Sequence, residues 1–326
     1  MDHKRIFGMD IGGTEIKIGL FDGEGNLLEK WSIPTDRTDG GCRILADAAA
    51  SLLAKMRERG LGSSDVIGVG VGVPGVVLPD GTVERAVNLG WGRLDAAGEL
   101  TELLDGIPAF IGNDANAAAL GEAWKGAGKG RRSLVLVTLG TGLGAGVIID
   151  GKMITGAHGV GGEIGHMRVR DDEKEPCTCG GYGCSQQICS ATGLVREAER
   201  LLSAEPEAES VLRTFGSSLT ARDIADAAKE GDRIAEKTMD IMTRYLGRTL
   251  ALTAMVVDPE VFILGGGVSA AGSYLTERTE KYYKEYSPIS EYRADVVTAR
   301  LGNDAGIYGA AAMAGGFGNG RTILGK

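Results

Sequence analysis

One unit occurs twice along this 326-residue chain: an apolar strand-like run, a glycine/threonine turn, a second strand-like run and an Asp-Gly step. The first copy passes through Asp10-Ile11-Gly12-Gly13-Thr14, then Glu15 to Phe21, then Asp22-Gly23. The second runs from Ser133 to Leu139, through Gly140-Thr141-Gly142-Leu143-Gly144-Ala145-Gly146, to Val147–Ile149 and Asp150-Gly151. A repeated supersecondary unit is the mark of a duplicated domain. Exposed backbone N–H groups at Gly12, Gly13 and Thr14, with the Thr14 hydroxyl, can cradle a phosphate. Two such loops imply a nucleotide in a cleft between two halves, although either loop alone is equally a plain turn. The first loop is not G-x-x-x-x-G-K-[ST] and joins strand to strand, so a P-loop NTPase is a poor fit. Asp10, at the end of its strand, is placed to hold Mg²⁺ directly or through water.

The rest of the chain alternates strands with helices, which makes the class α/β. Helical periodicity covers Ile44 to Arg59 and stops at Gly60; Val66 to Val73 reads as a buried strand. An irregular stretch around Asn88-Leu89-Gly90-Trp91 follows. Pro108 to Ile111 then delivers Gly112-Asn113-Asp114-Ala115-Asn116 into an Ala-rich helix ending near Lys125. Asn and Asp are favoured helix caps, but three such residues exceed what a cap needs and point to function. Helices are expected over 193–202, 221–229 with Thr220 as cap, and 232–257, where Asp258-Pro259 stops the pattern. Val261 to Leu264 feeds Gly265-Gly266-Gly267, which lets a flat ligand such as adenine approach the backbone; a tight turn is the alternative. Helix 272–286, a short strand at Val296-Val297 and a small-residue helix over 303–314 complete the pattern.

Four of the five cysteines lie between residues 177 and 189, and two of the three histidines, His158 and His166, lie just upstream. Cys177, Cys179 and Cys184 in C-x-C-x4-C spacing, with one imidazole, suit a tetrahedral Zn²⁺ site. His166 is the better fourth ligand, because it leads into an alternating strand-like run, Met167 to Val169. Free buried thiols are the competing reading.

A net charge of −9 and the lack of a Lys/Arg-rich tract argue against nucleic acid. No apolar run approaches the roughly 20 residues that span a bilayer, and no signal-peptide core precedes the first strand. Cysteines clustered for metal suit a reducing compartment, so a cytoplasmic protein is expected. The 53 glycines, about twice the usual share of roughly 7%, fall in short turns.

Taken together, Asp10-Ile-Gly-Gly-Thr14, Gly112-Asn-Asp114-Ala-Asn116, Leu139-Gly-Thr-Gly-Leu-Gly144, Glu163-Ile-Gly-His166, the C-x-C-G-x-x-G-C cluster and Asp258-Pro-Glu-Val-Phe-Ile-Leu-Gly-Gly-Gly267 resemble the ROK family of sugar kinases and sugar-responsive repressors. The resemblance runs from residue 6 to about 314 with every motif in family order. It implies an actin-like ATPase/sugar-kinase (ribonuclease H-like) fold with a cleft between two lobes. The small lobe would comprise 1–117 plus 303–326, and the larger one, 118–302, would carry the zinc and the dimer contact of a homodimer or homotetramer.

It also implies ATP-dependent phosphorylation of a hexose, glucose first, with ATP as its Mg²⁺ complex and Zn²⁺ as a structural clamp. Asp114 matches the catalytic base; Gly75, Asn113, Glu163, His166 and the position of Gln186 match sugar contacts. Asp10, Gly12, Gly13, Thr14, Lys17, Gly140, Thr141, Gly142 and Gly265 to Gly267 match the nucleotide site. One His166 nitrogen would ligate zinc while the other faces the sugar. The family cluster usually ends C-x-E, whereas this chain has Gln186, which keeps an acceptor oxygen but loses charge and gains two donors. Kinases for N-acetylmannosamine, N-acetylglucosamine or fructose are alternatives, as is a non-catalytic sugar sensor. A repressor would carry a DNA-binding module before the first loop, where Asp10 leaves no room.

Overall fold

A computed structural model describes residues 4–287 and 293–317. In chain order the elements are β1 (Arg5–Ile11), β2 (Glu15–Asp22), β3 (Leu27–Pro34), α1 (Ile44–Arg59), β4 (Val66–Val73), β5 (Val76–Val77), β6 (Val83–Arg85), α2 (Ala96–Leu103), β7 (Ala109–Asn113) and α3 (Asp114–Lys125). They continue with β8 (Leu134–Leu139), β9 (Leu143–Ile149), β10 (Lys152–Met153), α4 (Gln186–Cys189), α5 (Ala191–Ala204), α6 (Ala221–Lys229), α7 (Arg233–Val257), β11 (Val261–Gly265), α8 (Ser273–Tyr286), β12 (Asp295–Thr298) and α9 (Ala305–Ala314).

The expected repeat is present as two five-stranded sheets of one topology. Their orders are β3-β2-β1-β4-β7 and β10-β9-β8-β11-β12, each reading third, second, first, fourth, fifth. The second glycine turn is shorter than its sequence implied, because Leu143 to Gly146 already belong to β9. The run Met167 to Val169 is not a strand. It follows a 3-10 turn at Ile164–His166 and contributes only the isolated bridge of Arg168 with Cys184. The stretch read as irregular contains the β5–β6 hairpin and α2, the latter capped by Asp95 accepting from Gly98 N at 2.9 Å. Thr220 caps α6 in a full capping box, as expected.

The chain divides into two compact units: Met1–Arg132, Gly146–Gly161 and Asn303–Lys326 form one, and Ser133–Ala145 with Gly162–Gly302 form the other. The expected boundary at residue 117 falls inside α3, and the packing explains why α3 stays in the first unit. Gly121 of α3 meets the Ala305 carbonyl and Gly309 of α9 meets the Ala117 carbonyl, so these helices touch backbone to backbone. A Cβ on Gly146 would lie 2.5 Å from the Ala119 side chain, which keeps its segment there too. Residues 318–326 of the expected small lobe lie outside the described residues.

In the first unit Gly8 and Gly70 are register partners on β1 and β4. A Cβ on either would come within 2.0 Å of α9 backbone oxygens, at Ile307 and Ala310. The bare strand face is what lets α9 lie flat, and this explains the small-residue composition of that helix. The core holds Phe7, Met9, Val69 and Val71 together with Leu45, Ala48 and Leu52 of α1. In the second unit α7 and α8 pack where Gly247 meets Tyr282, and Tyr283 stacks edge-on to Phe262 of β11 with ring centroids 5.5 Å apart.

Candidate active site and metal centre

In the first unit the C-terminal ends of three parallel strands bring the acidic candidates together. Asp10 pairs with Gly72, and Gly72 pairs with Gly112, one residue before Asn113. A Cβ on Gly72 would lie 3.5 Å from the Asp114 Cα and 3.8 Å from Asp10 Oδ1. Glycine at this position therefore leaves room for both acids.

Asp114 opens α3, and its Oδ1 accepts from Ala115 N at 2.8 Å and from Asn113 Nδ2 at 3.1 Å. Asn113 is the true cap: its Oδ1 accepts from Asn116 N at 3.1 Å, and its Nδ2 also donates to the Gly75 carbonyl at 3.1 Å. Gly75, Asn113 and Asp114 thus form one fixed constellation. Asn116 serves the cap through its backbone, and the residue is buried.

Burial pushes the Asp10 carboxyl pKa up, against the opposing pull of Lys17. Asp10 packs on Gly306 of α9, where a Cβ would stand 2.7 Å from its carboxyl. A desolvated carboxylate gains most from a cation. Next to it, Thr35 closes the first glycine turn by donating through Oγ1 to the Gly12 carbonyl (2.7 Å) and through N to the Thr14 carbonyl (3.0 Å). The Thr14 side chain is exposed.

In the second unit Gly265 pairs with Thr138 across β11 and β8, setting the Gly265-Gly266-Gly267 run beside the Gly140-Thr141-Gly142 turn. Gly266 has φ +80° and lies so close to the Leu139 backbone that a Cβ would be 2.6 Å away. Only glycine combines that conformation with that approach. Gly267 has open space around it.

The metal candidates converge as well. One ligand atom each from His166, Cys177, Cys179 and Cys184 lie within 4.8 Å of one another. His166 Nδ1 is 3.8 Å from Cys177 Sγ, and its Nε2 is 3.8 Å from Glu163 Oε2. Burial pushes the Cys177 thiol up, but hydrogen bonds from the Cys179 backbone and Gln186 outweigh it and bring the pKa down to about 6. Burial and the neighbouring sulfurs push Cys184 up to about 12. The cluster favours one thiolate and resists a second, a conflict that a divalent cation removes. Three sulfurs and one imidazole at this spacing fit Zn²⁺. Cys189, by contrast, is fully buried and its thiol is pushed further up by that burial.

No sequence pattern marks what braces this loop. Glu173, with 1% of its side chain exposed, accepts from Arg196 (3.0 Å) and from both Arg200 nitrogens (2.7 and 3.0 Å). Its bonds to Arg200, with help from Arg196, bring its pKa down to about 2 despite burial. Arg196 also donates to the Gln187 carbonyl (2.7 Å), and Gln187 Oε1 accepts from Cys184 N (3.1 Å). In sequence these residues are only part of a charged stretch.

The ROK family model matches residues 6–316. The chain belongs to the ROK family. The glucokinase of Halalkalibacterium halodurans is 38% identical to it, covering 95% of this chain and 94% of that protein. The glucokinase of Streptomyces coelicolor is 39% identical, covering 94% and 96%. A ROK family glucokinase from Streptomyces griseus, crystallised with glucose and AMPPNP, superposes with a TM-score of 0.77 at 37% identity, covering 95% of this chain and 98% of that one. The two sheets of shared strand order are those of the actin-like ATPase/sugar-kinase fold.

Proposed function

We propose that this ROK protein phosphorylates a hexose with ATP, glucose being the substrate and glucose 6-phosphate the product. The observation that carries the reading is the Asn113–Asp114 pair. Asp114 has one carboxylate oxygen fixed by its own helix N-terminus and by Asn113, so the group is held in one orientation. A carboxylate so fixed is suited to take the proton from a primary hydroxyl as the γ-phosphoryl arrives in line. Asn113 and Gly75 would hold neighbouring sugar hydroxyls, and Glu163 and His166 further ones. Gln186 stands where the family usually has Glu.

The glycine turns at Gly12-Gly13-Thr14 and Gly140-Thr141-Gly142, with Lys17, would bind the phosphates, and Gly265 to Gly267 the adenosine. Mg²⁺ bound with ATP would be held by Asp10 and would neutralise phosphate charge. Zn²⁺ on His166, Cys177, Cys179 and Cys184 would fix the orientation of the imidazole. All five cysteines are free thiols, which supports a reducing, cytoplasmic setting. No helix among the described residues is long and apolar enough to cross a membrane. A homodimer or homotetramer follows from the resemblance.

The test is coupled ADP release over a panel of glucose, mannose, fructose, N-acetylmannosamine and N-acetylglucosamine, with Asp114→Ala as control. Turnover of glucose that the control abolishes is expected. Preference for an N-acetyl sugar or fructose would reassign the substrate, and no turnover with any sugar would leave a sugar sensor.

A further inference from the structure

Gln186 does not sit as a residue reaching for a ligand hydroxyl would. Its Nε2 donates to Cys177 Sγ at 3.0 Å and to Thr178 Oγ1 at 3.0 Å, so both amide hydrogens are used inside the cysteine loop. Its Oε1 extends to the glycine turn, where a Cβ on Gly142 would lie 3.1 Å away. The same turn is tied to the start of α5, because Ala191 N donates to the Gly140 carbonyl at 2.8 Å. A thiolate accepts hydrogen bonds, so the amide must present its nitrogen to Cys177; the reversed amide would set an oxygen against sulfur. A Glu at this position has no N–H to offer.

We infer that Gln186 is a supporting residue of the metal centre, donating to the Cys177 thiolate from beside the Gly140–Gly142 turn. The inference rests on the Zn²⁺ reading of His166, Cys177, Cys179 and Cys184. A donor to a metal-bound sulfur withdraws charge from it and holds it in position, and the loss of such outer partners typically weakens metal affinity about 10–100-fold. Gln186 is then a positioning residue, which acts on the metal through Cys177.

The experiment uses the full chain loaded with one Zn²⁺, and compares it with Gln186→Glu and Gln186→Ala. Zinc affinity by competition with a chromophoric chelator should weaken about 10–100-fold in both variants, because neither side chain has an N–H to offer Cys177. In the Co²⁺-substituted proteins, the sulfur-to-cobalt charge-transfer band should move to longer wavelength once the donor is gone. Thermal midpoints of the zinc-loaded proteins show that each variant is folded. Zinc affinities within about twofold of the parent, with an unmoved band, would overturn the inference while leaving the zinc site standing. A parent that binds no zinc would overturn both.

Discussion

Gly309 of α9 lies so close to Ala117 of α3 that a methyl group on it would stand 1.5 Å from the Ala117 carbonyl oxygen. The obstacle is backbone, which cannot rotate aside. Gly309→Ala must therefore push α9 away from α3, the helix that begins with Asp114. Overpacking costs about 1–3 kcal/mol, and the upper end is expected here, read as a lower midpoint of urea unfolding. Gly92→Ala is the matched control, since nothing lies within 4 Å of that position; it should stay within about 0.5 kcal/mol of the parent. Equal midpoints for the two variants would refute the backbone contact.

Asp114→Asn keeps the side-chain shape and an oxygen for the Ala115 N–H. It removes the basic oxygen that would take the hydroxyl proton. Turnover should fall about 10²- to 10⁴-fold with the sugar KM nearly unchanged and thermal stability preserved. A raised KM at full kcat would instead make Asp114 a binding residue.

Much of this was legible in the sequence, and the reasons are specific. The duplicated sheet announced itself because glycine/threonine turns between apolar runs carry a strong local signal, and Cys177, Cys179 and Cys184 because soft ligands rarely cluster. The end of α1 was set by Gly60, which adopts the left-handed conformation that glycine favours. What stayed hidden depends on contacts far apart in the chain. Ala117 stays in the first unit because of Gly309, and no local pattern records that pairing. The role of Glu173 needs Arg196 and Arg200 from another turn of chain. Met167 to Val169 failed as a strand because alternation over three residues is too short to outweigh a loop pinned by Ser185, whose hydroxyl donates to the Ile164 carbonyl at 2.8 Å.

Acid stability should carry the mark of Glu173. Its carboxyl is depressed from 4.5 to about 2 in the folded chain. The contribution is therefore fully present above pH 4.5, shrinks as pH falls and is lost below about 2. At about 1.4 kcal/mol per pH unit the shift corresponds to about 3 kcal/mol. Glu173→Gln should lose most of that at pH 7, because Arg196 and Arg200 keep their charges without the carboxylate. Between pH 4.5 and 2.5 its urea midpoint should fall less steeply than the parent's. Parallel acid slopes would show that the cluster does not hold the loop.

The sugar preference turns on what happens when Gln186 becomes Glu. The parent amide is held by Cys177 and Thr178 at 3.0 Å each. A carboxylate cannot replace either donation, and the cysteine sulfurs repel it. The new side chain should therefore leave the cysteine loop and present a charged acceptor to the sugar. Charge-assisted hydrogen bonds are about twice as strong as neutral ones. A gain of about 1.4 kcal/mol is a tenfold change in affinity, so the glucose KM of Gln186→Glu should fall about tenfold, with mannose and the 2-amino sugars changing by different factors because they differ at C2. Steady-state kinetics on zinc-loaded protein over these sugars read both effects. An unchanged KM for every sugar would mean that position 186 does not meet the substrate with either residue.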